Sequence, residues 1–230
     1  QVRYSSIFNF DIKRVKEIFE VGLPAALEQV IFQIGITAFL ILVAFYGTEA
    51  YAAYGIGVQI LSFSIVIGFG FSIAGATLVG QHLGAKNEEQ AKRAGWGAMR
   101  LSIISMTFFG VLITIFAEPL ARYMIDNDEV VRLTVIFIWL LGSMQPLMAI
   151  EFSLGGALRG AGDTKTPLAI TLTCLLFIRV FLAMIFFLLD ARVEVIFSTL
   201  VADYVVKGFL YVARFRSDRW MNALKTREAD

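Results

Sequence analysis

The sequence has few residues of the kinds that form covalent cross-links, metal sites or polar catalytic centres. Among 230 residues there is one cysteine, Cys174, and one histidine, His82, and charged residues make up only 17%. A single cysteine excludes a disulfide within the chain and a thiolate metal cluster, and a single histidine argues against histidine-based metal sites. The net charge of +1 gives no global support for nucleic-acid binding. We therefore predict no metal site, no bound cofactor and no nucleic-acid partner.

Motifs for catalysis or nucleotide binding are also missing. Gly55-x-Gly57 and Gly68-x-Gly70 lie within apolar segments and lack the following turn that cradles a phosphate. No Walker-type lysine motif is present in the sequence. We therefore predict that the chain is not an enzyme and does not drive transport with ATP on its own.

Long apolar segments dominate what is present. Hydrophobic residues make up 58% of the chain, whereas soluble proteins contain about 45–50%. A helix needs about 20 apolar residues to cross a bilayer core of roughly 30 Å, and six segments satisfy this. They are apolar on all sides, unlike the helices of a soluble bundle. We predict an all-α polytopic membrane protein with six transmembrane helices at Leu23–Tyr46, Tyr51–Val79, Ala98–Ala117, Val131–Leu154, Leu168–Leu189 and Val193–Ala213.

The connections between these segments are short, so neighbouring spans should run antiparallel. We expect Gly155, Gly156 and Gly160 to break the fourth span. In this arrangement fifteen of the twenty lysines and arginines lie on one side of the membrane and three on the other. The positive-inside rule places the basic side in the cytoplasm. We therefore predict a multi-pass protein of the cell (plasma) membrane with both termini cytoplasmic.

The chain divides into three regions. Residues 1–21 are expected to be a cytoplasmic linker and a short interfacial helix, because apolar and charged residues occupy opposite sides of that segment. Residues 22–214 form the six-helix transmembrane lobe, and residues 215–230 form a cytoplasmic C-terminal tail in which Trp220 is a candidate interfacial anchor. Because the sequence begins with Gln1 and not Met, we expect it to be a piece of a longer protein or a processed form.

Ionisable side chains within the predicted spans are functional candidates, because they are costly unless paired or hydrated. Arg179 lies near the middle of the fifth span and Asp203 near the middle of the sixth, with Lys207 one helical turn beyond Asp203. We expect an Arg179–Asp203–Lys207 charge network. Its role stays open between a functional site and a lock that holds two helices together.

Two glutamates, Glu28 and Glu151, lie nearer the cytoplasmic ends of the first and fourth spans. With Asp203 they make three acids against two bases, which predicts one excess carboxylate that would bind a proton or a cation. Glu28 is the first candidate for this coupling role, because no base is expected at its depth. Glu151 is either part of the site or an interfacial carboxylate. Gln33, on a polar face of the first span, either lines a cavity or links helices.

The second span carries small residues at every fourth position. Small side chains allow helix backbones to approach closely inside a membrane, where packing contacts drive helix association. We predict a helix-packing face, either a scaffold or a sliding surface, formed by Ser64, Gly68, Ser72, Ala76 and Gly80.

Four sequence blocks occur together, at residues 22–28 (GLPAALE), 47–55 (GTEAYAAYG), 78–85 (LVGQHLGA) and 158–167 (LRGAGDTKTP). In this order and spacing the chain resembles the multidrug and toxic compound extrusion (MATE) transporters. The resemblance implies the C-terminal six-helix lobe of a twelve-helix protein. It further implies export of cationic or amphiphilic drugs or metabolites, driven by inward Na+ or H+. The implied partners are membrane lipid, such organic molecules, and the other lobe, in the same polypeptide or as a second copy.

The sequence departs from the family at one position that matters for coupling. Some relatives place a cation-binding glutamate about two turns beyond the proline of the first helix in this lobe, where this chain has Phe32 or Gln33. The resemblance therefore leaves open which carboxylate couples and whether the ion is Na+ or H+. Two other functions remain open, a lipid-linked oligosaccharide flippase of the wider superfamily and a non-transporting membrane scaffold or inert half-protein.

Overall fold

The computed structural model describes residues 12–222, and within that range the chain consists of helices joined by short turns. A π-helical segment (Cys174–Val180) joins α7 to α8, and a 3₁₀ turn (Arg219–Asn222) follows α9. The α-helices are α1 (Ile12–Ala44), α2 (Thr48–Gly84), α3 (Glu88–Ile115), α4 (Ala117–Met124), α5 (Asp128–Ser143), α6 (Gln145–Gly160), α7 (Lys165–Thr173), α8 (Phe181–Leu188) and α9 (Val193–Arg216).

Five helical segments are long and apolar enough to cross a membrane, and the bent pair α5–α6 makes a sixth if it is counted as one span. The segment Lys165–Leu188, which includes the π-helix, is one of the five. Large apolar side chains such as Phe63, Ile104 and Phe108 are exposed on the outside of the bundle. An exposed apolar surface of this extent suits contact with lipid. The prediction of an all-α polytopic membrane protein is confirmed.

The fourth predicted span, Val131–Leu154, is not one straight helix. The axes of α5 and α6 differ by 54° at the break around Met144. Pro146 lies in the first turn of α6 and explains the bend. Proline has no backbone N–H to donate, and its ring clashes with the carbonyl group four residues earlier.

The prediction that Gly155, Gly156 and Gly160 break this span is wrong for Gly155 and Gly156, which lie inside α6, whereas the helix does end at Gly160. Gly156 and Gly160 allow α6 to lie directly against α2. A Cβ atom at Gly156 would collide with the backbone of Ser72, and one at Gly160 would collide with the backbone of Ala76. Gly156 and Gly160 therefore serve close helix packing, and Gly160 is also the last residue of α6.

The small-residue face of α2 lies against α6. A Cβ atom at Gly80 would lie 3.0 Å from the carbonyl oxygen of Gly160. At the other end of the face, Ser64 Oγ donates a hydrogen bond of 2.6 Å to Gln145 Oε1. Packing against this face fixes the position of α6. It thereby also fixes the side chains of α6 that face α1 and α9.

We expect Gly156→Ala to lower the free energy of unfolding by about 1–3 kcal/mol, the usual cost of overpacking. The added methyl group would meet the backbone of Ser72, which cannot move aside as a flexible side chain can. The measurement is thermal unfolding of the purified protein in detergent, followed by helical circular dichroism. Gly70→Ala is the matched control, because it makes the same change on α2 where no atom lies within 4 Å. Equal stability of the two variants would contradict close α2–α6 packing.

Side-chain contacts join the turns at the two ends of the bundle. At one end, Arg214 of α9 donates hydrogen bonds of 2.6 and 2.9 Å to Asp163 Oδ2. At the other end, Arg132 of α5 lies 3.1 Å from Glu194 of α9. The α5–α6 span and α9 therefore begin at one end of the bundle and finish at the other, and the α7–α8 span between them returns in the opposite direction, as the short connections predict.

Trp220 does not lie at the surface as an interfacial anchor, so that prediction is wrong. Its side chain is fully buried and stacks on Phe215, with ring centroids 4.6 Å apart and an interplanar angle of 11°. Its Nε1 donates a hydrogen bond of 2.9 Å to the carbonyl oxygen of Phe215. The start of the tail thus folds back onto the end of α9, while residues 223–230 lie outside the described residues.

The predicted boundary between residues 1–21 and residues 22–214 falls within α1. The structure has a single helix from Ile12 to Ala44, with Pro24 inside it. Residues 1–11 lie outside the described residues. The interfacial segment, where the structure describes it, is therefore a direct extension of the first span.

Candidate functional site

A cavity of about 470 Å³ lies between α1, α2, α5, α6, α7, the π-helical segment and α9. Its volume falls within the range of about 300–1,000 Å³ that is typical of small-molecule sites. Most of its wall is apolar, and its aromatic members are Phe32, Tyr54, Phe69, Phe137, Phe152, Tyr204 and Tyr211. The charged side chains in its wall are Glu28, Glu151, Arg159 and Arg179.

Glu28 of α1 is paired with Arg159 in the last turn of α6. Arg159 Nη1 donates to both carboxylate oxygens of Glu28, at 3.0 and 3.1 Å, and Arg159 Nη2 donates to Ser72 Oγ at 3.2 Å. Thr171 Oγ1 adds a hydrogen bond of 3.3 Å to Glu28 Oε1. The side chains of Glu28 and Arg159 are 13% and 30% exposed. The pair therefore lies in the cavity wall, within reach of a solute.

The prediction that Glu28 has no base at its depth is wrong. The sequence pattern assigns Arg159 to a loop, because the fourth span is expected to end at Leu154. In the structure α6 continues to Gly160, which keeps Arg159 on the helix and facing α1. Among residues 12–222, the ionisable groups in and beside the cavity wall are then three acids and three bases. The predicted excess of one carboxylate is therefore not found at the cavity. These groups are Glu28, Glu151, Asp203, Arg159, Arg179 and Lys207.

A second group of charges surrounds Asp203 of α9. Arg179 Nη2 lies 2.6 Å and Lys207 Nζ lies 3.2 Å from Asp203 Oδ2. Lys207 Nζ also lies 3.3 Å from Oε1 of Glu151 on α6. The structure therefore brings together the expected Arg179–Asp203–Lys207 network and adds Glu151 to it. Glu151 is the member of this group that links the buried charges to α6.

Arg179 reaches Asp203 from the π-helical segment. A π-helix contains one more residue per hydrogen-bonded turn than an α-helix, and such segments are frequent at functional sites. Gly35 of α1 makes room for this wider segment, because a Cβ atom there would collide with the side chain of Leu175. The residues of this segment carry no pattern that predicts a π-helix. Gly35 could indicate the wider segment opposite it only if the pairing of α1 with that segment were already known.

Gln33 does not share the cavity with the other candidates. Its side chain is exposed on another face of α1, beside a shallow groove. Five residues separate Gln33 from Glu28, which corresponds to a rotation of about 140° around an α-helix. The structure therefore places Glu28 and Glu151 in the wall of one cavity, with Asp203 buried beside it, and leaves Gln33 outside it.

Within residues 12–222, no group of three or more His, Cys, Asp and Glu side chains is arranged to hold a metal ion. The polar groups of the cavity are instead paired carboxylates and bases. An opposite charge at this distance favours the charged form of each partner. The wall of the cavity therefore presents charged groups within an otherwise apolar surface.

The sequence matches the MatE family over residues 24–185. It is 33% identical over 223 residues to the "Probable multidrug resistance protein NorM" of Thermotoga maritima, a match that covers 93% of this chain and 46% of that protein. It is 30% identical over 152 residues to the "Multidrug resistance protein NorM" of Aliivibrio fischeri, covering 66% of this chain and 33% of that protein. The chain thus spans about half the length of the first of these relatives, and less of the second.

Solved structures share the fold. The structure of the MATE transporter ClbM in complex with Rb+ matches with a TM-score of 0.84 at 21% identity, covering 92% of this chain and 50% of that chain. The bent form of the Vibrio cholerae MATE transporter VcmN matches with a TM-score of 0.81 at 18% identity, covering 95% and 51%. In each case the match corresponds to one lobe of the transporter. From the family match, which covers most of the sequence, and from the shared fold, we conclude that this chain belongs to the MATE family of membrane transporters.

Proposed function

We propose that this chain is the C-terminal half of a cation-coupled antiporter that exports cationic or amphiphilic compounds across the cell membrane. The cavity is the observation that most supports this proposal, because it combines an aromatic wall with ion pairs inside membrane-spanning helices. Ionisable groups at this depth cost several kcal/mol unless they are paired or hydrated. Four such groups in the wall of one cavity therefore favour a solute-binding site over helix packing alone.

The wall of the cavity supports the proposed class of substrate. Aromatic rings such as Phe69 and Phe152 attract organic cations through their electron-rich faces and accommodate apolar portions of an amphiphile. Glu28, at 13% exposure, is the carboxylate that an incoming positive charge can approach, whereas Glu151 is already in contact with Lys207. A broad apolar wall with few charged positions fits solutes of varied shape that share a positive charge.

The Glu28–Arg159 pair supports a mechanism of coupling by competition. Because Glu28 already has a base, a proton, a Na+ ion or a cationic solute binds it fully only when Arg159 moves away. Arg159 is the more exposed partner, and the cavity gives its side chain room to move. If the driving ion and the exported cation compete for the same carboxylate, they cannot occupy it together. Such mutual exclusion is what antiport requires.

A second six-helix lobe, in the same polypeptide or in a second copy, would complete the cavity, since secondary transporters bind solutes between two repeats near the midplane of the membrane. The end of the bundle where Arg214 meets Asp163 also holds most of the basic residues. The positive-inside rule therefore supports cytoplasmic termini.

The test uses the full-length protein in proteoliposomes with an imposed Na+ or H+ gradient and a cationic dye. We expect Glu28→Gln to reduce gradient-driven export about tenfold or more, because a hydrogen bond to a charged group contributes about 1.5–3 kcal/mol. Glu118→Gln is the control, since this glutamate forms an exposed ion pair with Arg122 outside the cavity. Its export should match that of the unmodified protein.

Other results of the same assay would contradict the proposal. Dye flux that does not depend on either gradient would exclude antiport, and unchanged coupling in Glu28→Gln would exclude Glu28 from the mechanism. Transport of a lipid-linked oligosaccharide without transport of the dye would favour the flippase. If the unmodified protein transported nothing and Glu28→Gln only lowered its stability, the scaffold would be favoured.

A further inference from the structure

Lys207 places an ammonium group in a closed pocket at the side of the cavity. Its Nζ lies 3.3 Å from Glu151 Oε1 and 3.2 Å from Asp203 Oδ2, and the Lys207 side chain is 0% exposed. The same nitrogen lies 5.8 Å from the ring centre of Phe32 and 5.5 Å from that of Tyr204. Two carboxylates from different helices and two aromatic faces thus surround one positive charge, which is an environment that stabilises a monovalent cation.

Without the charge of Lys207 this pocket would carry an uncompensated negative charge. Arg179 neutralises one carboxylate through Asp203 Oδ2, and Glu151 would then have no base in contact among residues 12–222. The other oxygen of Asp203, Oδ1, is buried and has no hydrogen-bond partner among residues 12–222. A buried carboxylate in this state takes up a proton or a cation, because the bare charge is too costly to maintain.

We propose that the Lys207 ammonium acts as a tethered cation, which occupies the Glu151–Asp203 pocket permanently and excludes alkali ions from it. Lys207 thereby determines ion specificity, because this pocket takes no free Na+ or K+ while the lysine is present. The driving ion then acts elsewhere, for example at the Glu28 side of the cavity. This inference deepens the proposed function and rests on it only for the role of the driving ion.

The test is equilibrium binding of radioactive Rb+ to the full-length protein in detergent, with Na+ as competitor. Lys207→Met removes the ammonium group and keeps an unbranched side chain. We expect this variant to bind Rb+ at a site that includes Glu151. The association constant of this site should be about tenfold or more above that of any Rb+ site at Glu151 in the unmodified protein. Adding Glu151→Gln to this variant should abolish the new binding. In the unmodified protein, Glu151→Gln alone should leave Rb+ binding unchanged.

Two further variants control for charge. Lys207→Arg retains a positive charge and should gain no Rb+ binding. Lys165→Met removes a positive charge from an exposed position at the start of α7 and should also gain none. Size-exclusion chromatography checks that each variant is folded.

Two results would overturn the inference. The first is a folded Lys207→Met protein without new Rb+ binding. The second is Rb+ binding in the unmodified protein that Glu151→Gln abolishes, and this arm decides the question even if Lys207→Met does not fold. Because the readout is binding and not transport, the inference and the proposed function can fail independently.

Discussion

Replacing Asp203 with asparagine is expected to lower the free energy of unfolding by about 3–5 kcal/mol, because breaking a buried ion pair leaves its partner uncompensated. Within residues 12–222, Asp203 is the one carboxylate in contact with Arg179, whose side chain is only 5% exposed. Lys207 would keep Glu151 as its single acidic contact. The Asp203 side chain is fully buried, so water does not reach the position of the lost charge. The measurement is unfolding of the purified protein in mixed detergent micelles, followed by helical circular dichroism.

A double-mutant cycle separates the ion pair from other effects of the substitution. Arg179→Met in the Asp203→Asn background should recover part of the lost stability, with a coupling energy of about 0.5–3 kcal/mol. Glu118→Gln, in an exposed ion pair, should leave the unfolding transition unchanged. An Asp203→Asn protein as stable as Glu118→Gln would mean that the buried network does not stabilise the fold.

Reversing the charge of Arg159 is expected to have the largest effect on transport. Arg159→Glu would place a second carboxylate beside Glu28 and would remove the base that Glu28 now contacts. We expect gradient-driven export of a cationic dye to fall about a hundredfold, because losing one partner of a buried charge pair costs about 2–5 kcal/mol. The double variant Glu28→Arg/Arg159→Glu restores opposite charges and should recover part of the activity. The measurement is dye export from proteoliposomes, normalised to the amount of folded protein.

The matched control reverses an exposed pair on α3. Arg93 lies 2.6 Å from Glu89, four residues earlier, and both side chains are mostly exposed. Arg93→Glu should leave export close to that of the unmodified protein, since exposed ion pairs contribute little. If Arg159→Glu transported as well as Arg93→Glu, the Glu28–Arg159 pair would have no part in export.

The sequence is sufficient to predict the spans and the charges within them. A membrane-spanning helix must be apolar over its full length, so composition alone reveals it. The contact between Asp203 and Lys207 also follows from the sequence, because residues four positions apart lie on one face of a helix. Arg179 joins them because it is expected at the same depth in the neighbouring span.

The pairing of Glu28 with Arg159 does not follow from the sequence, because the two residues are 131 positions apart. It depends on where the fourth span ends, and the glycines at its end have two physical meanings. Glycine can end a helix, or it can let two helices approach closely, and only the position of α2 distinguishes these cases. The assignment of Arg159 to a loop and the predicted excess of carboxylate both come from this one ambiguity.

The bend between α5 and α6 has a sequence signal, whereas the π-helix has almost none. Pro146 lies within a long apolar run and marks a position where the helix must bend. Apart from Arg179, the residues of the π-helix are apolar and unremarkable in propensity, and its packing is seen only in the structure, where Leu175 lies against Gly35. Helix bends in apolar spans can therefore be predicted where proline is present, but not where packing alone imposes them.

The proposed transport requires that the charged cavity is open to water and to solute. Ile65 lines the cavity, whereas Val66, its neighbour on α2, is 68% exposed on the outside of the bundle. Cys174 is buried and is first replaced by serine. Single cysteines at positions 65 and 66 can then be compared in this background. With a charged, membrane-impermeant thiol reagent, we predict that Ile65→Cys is modified and is protected by a cationic substrate, while Val66→Cys is not modified. Equal reactivity at both positions, or no reaction at Ile65→Cys, would contradict the account.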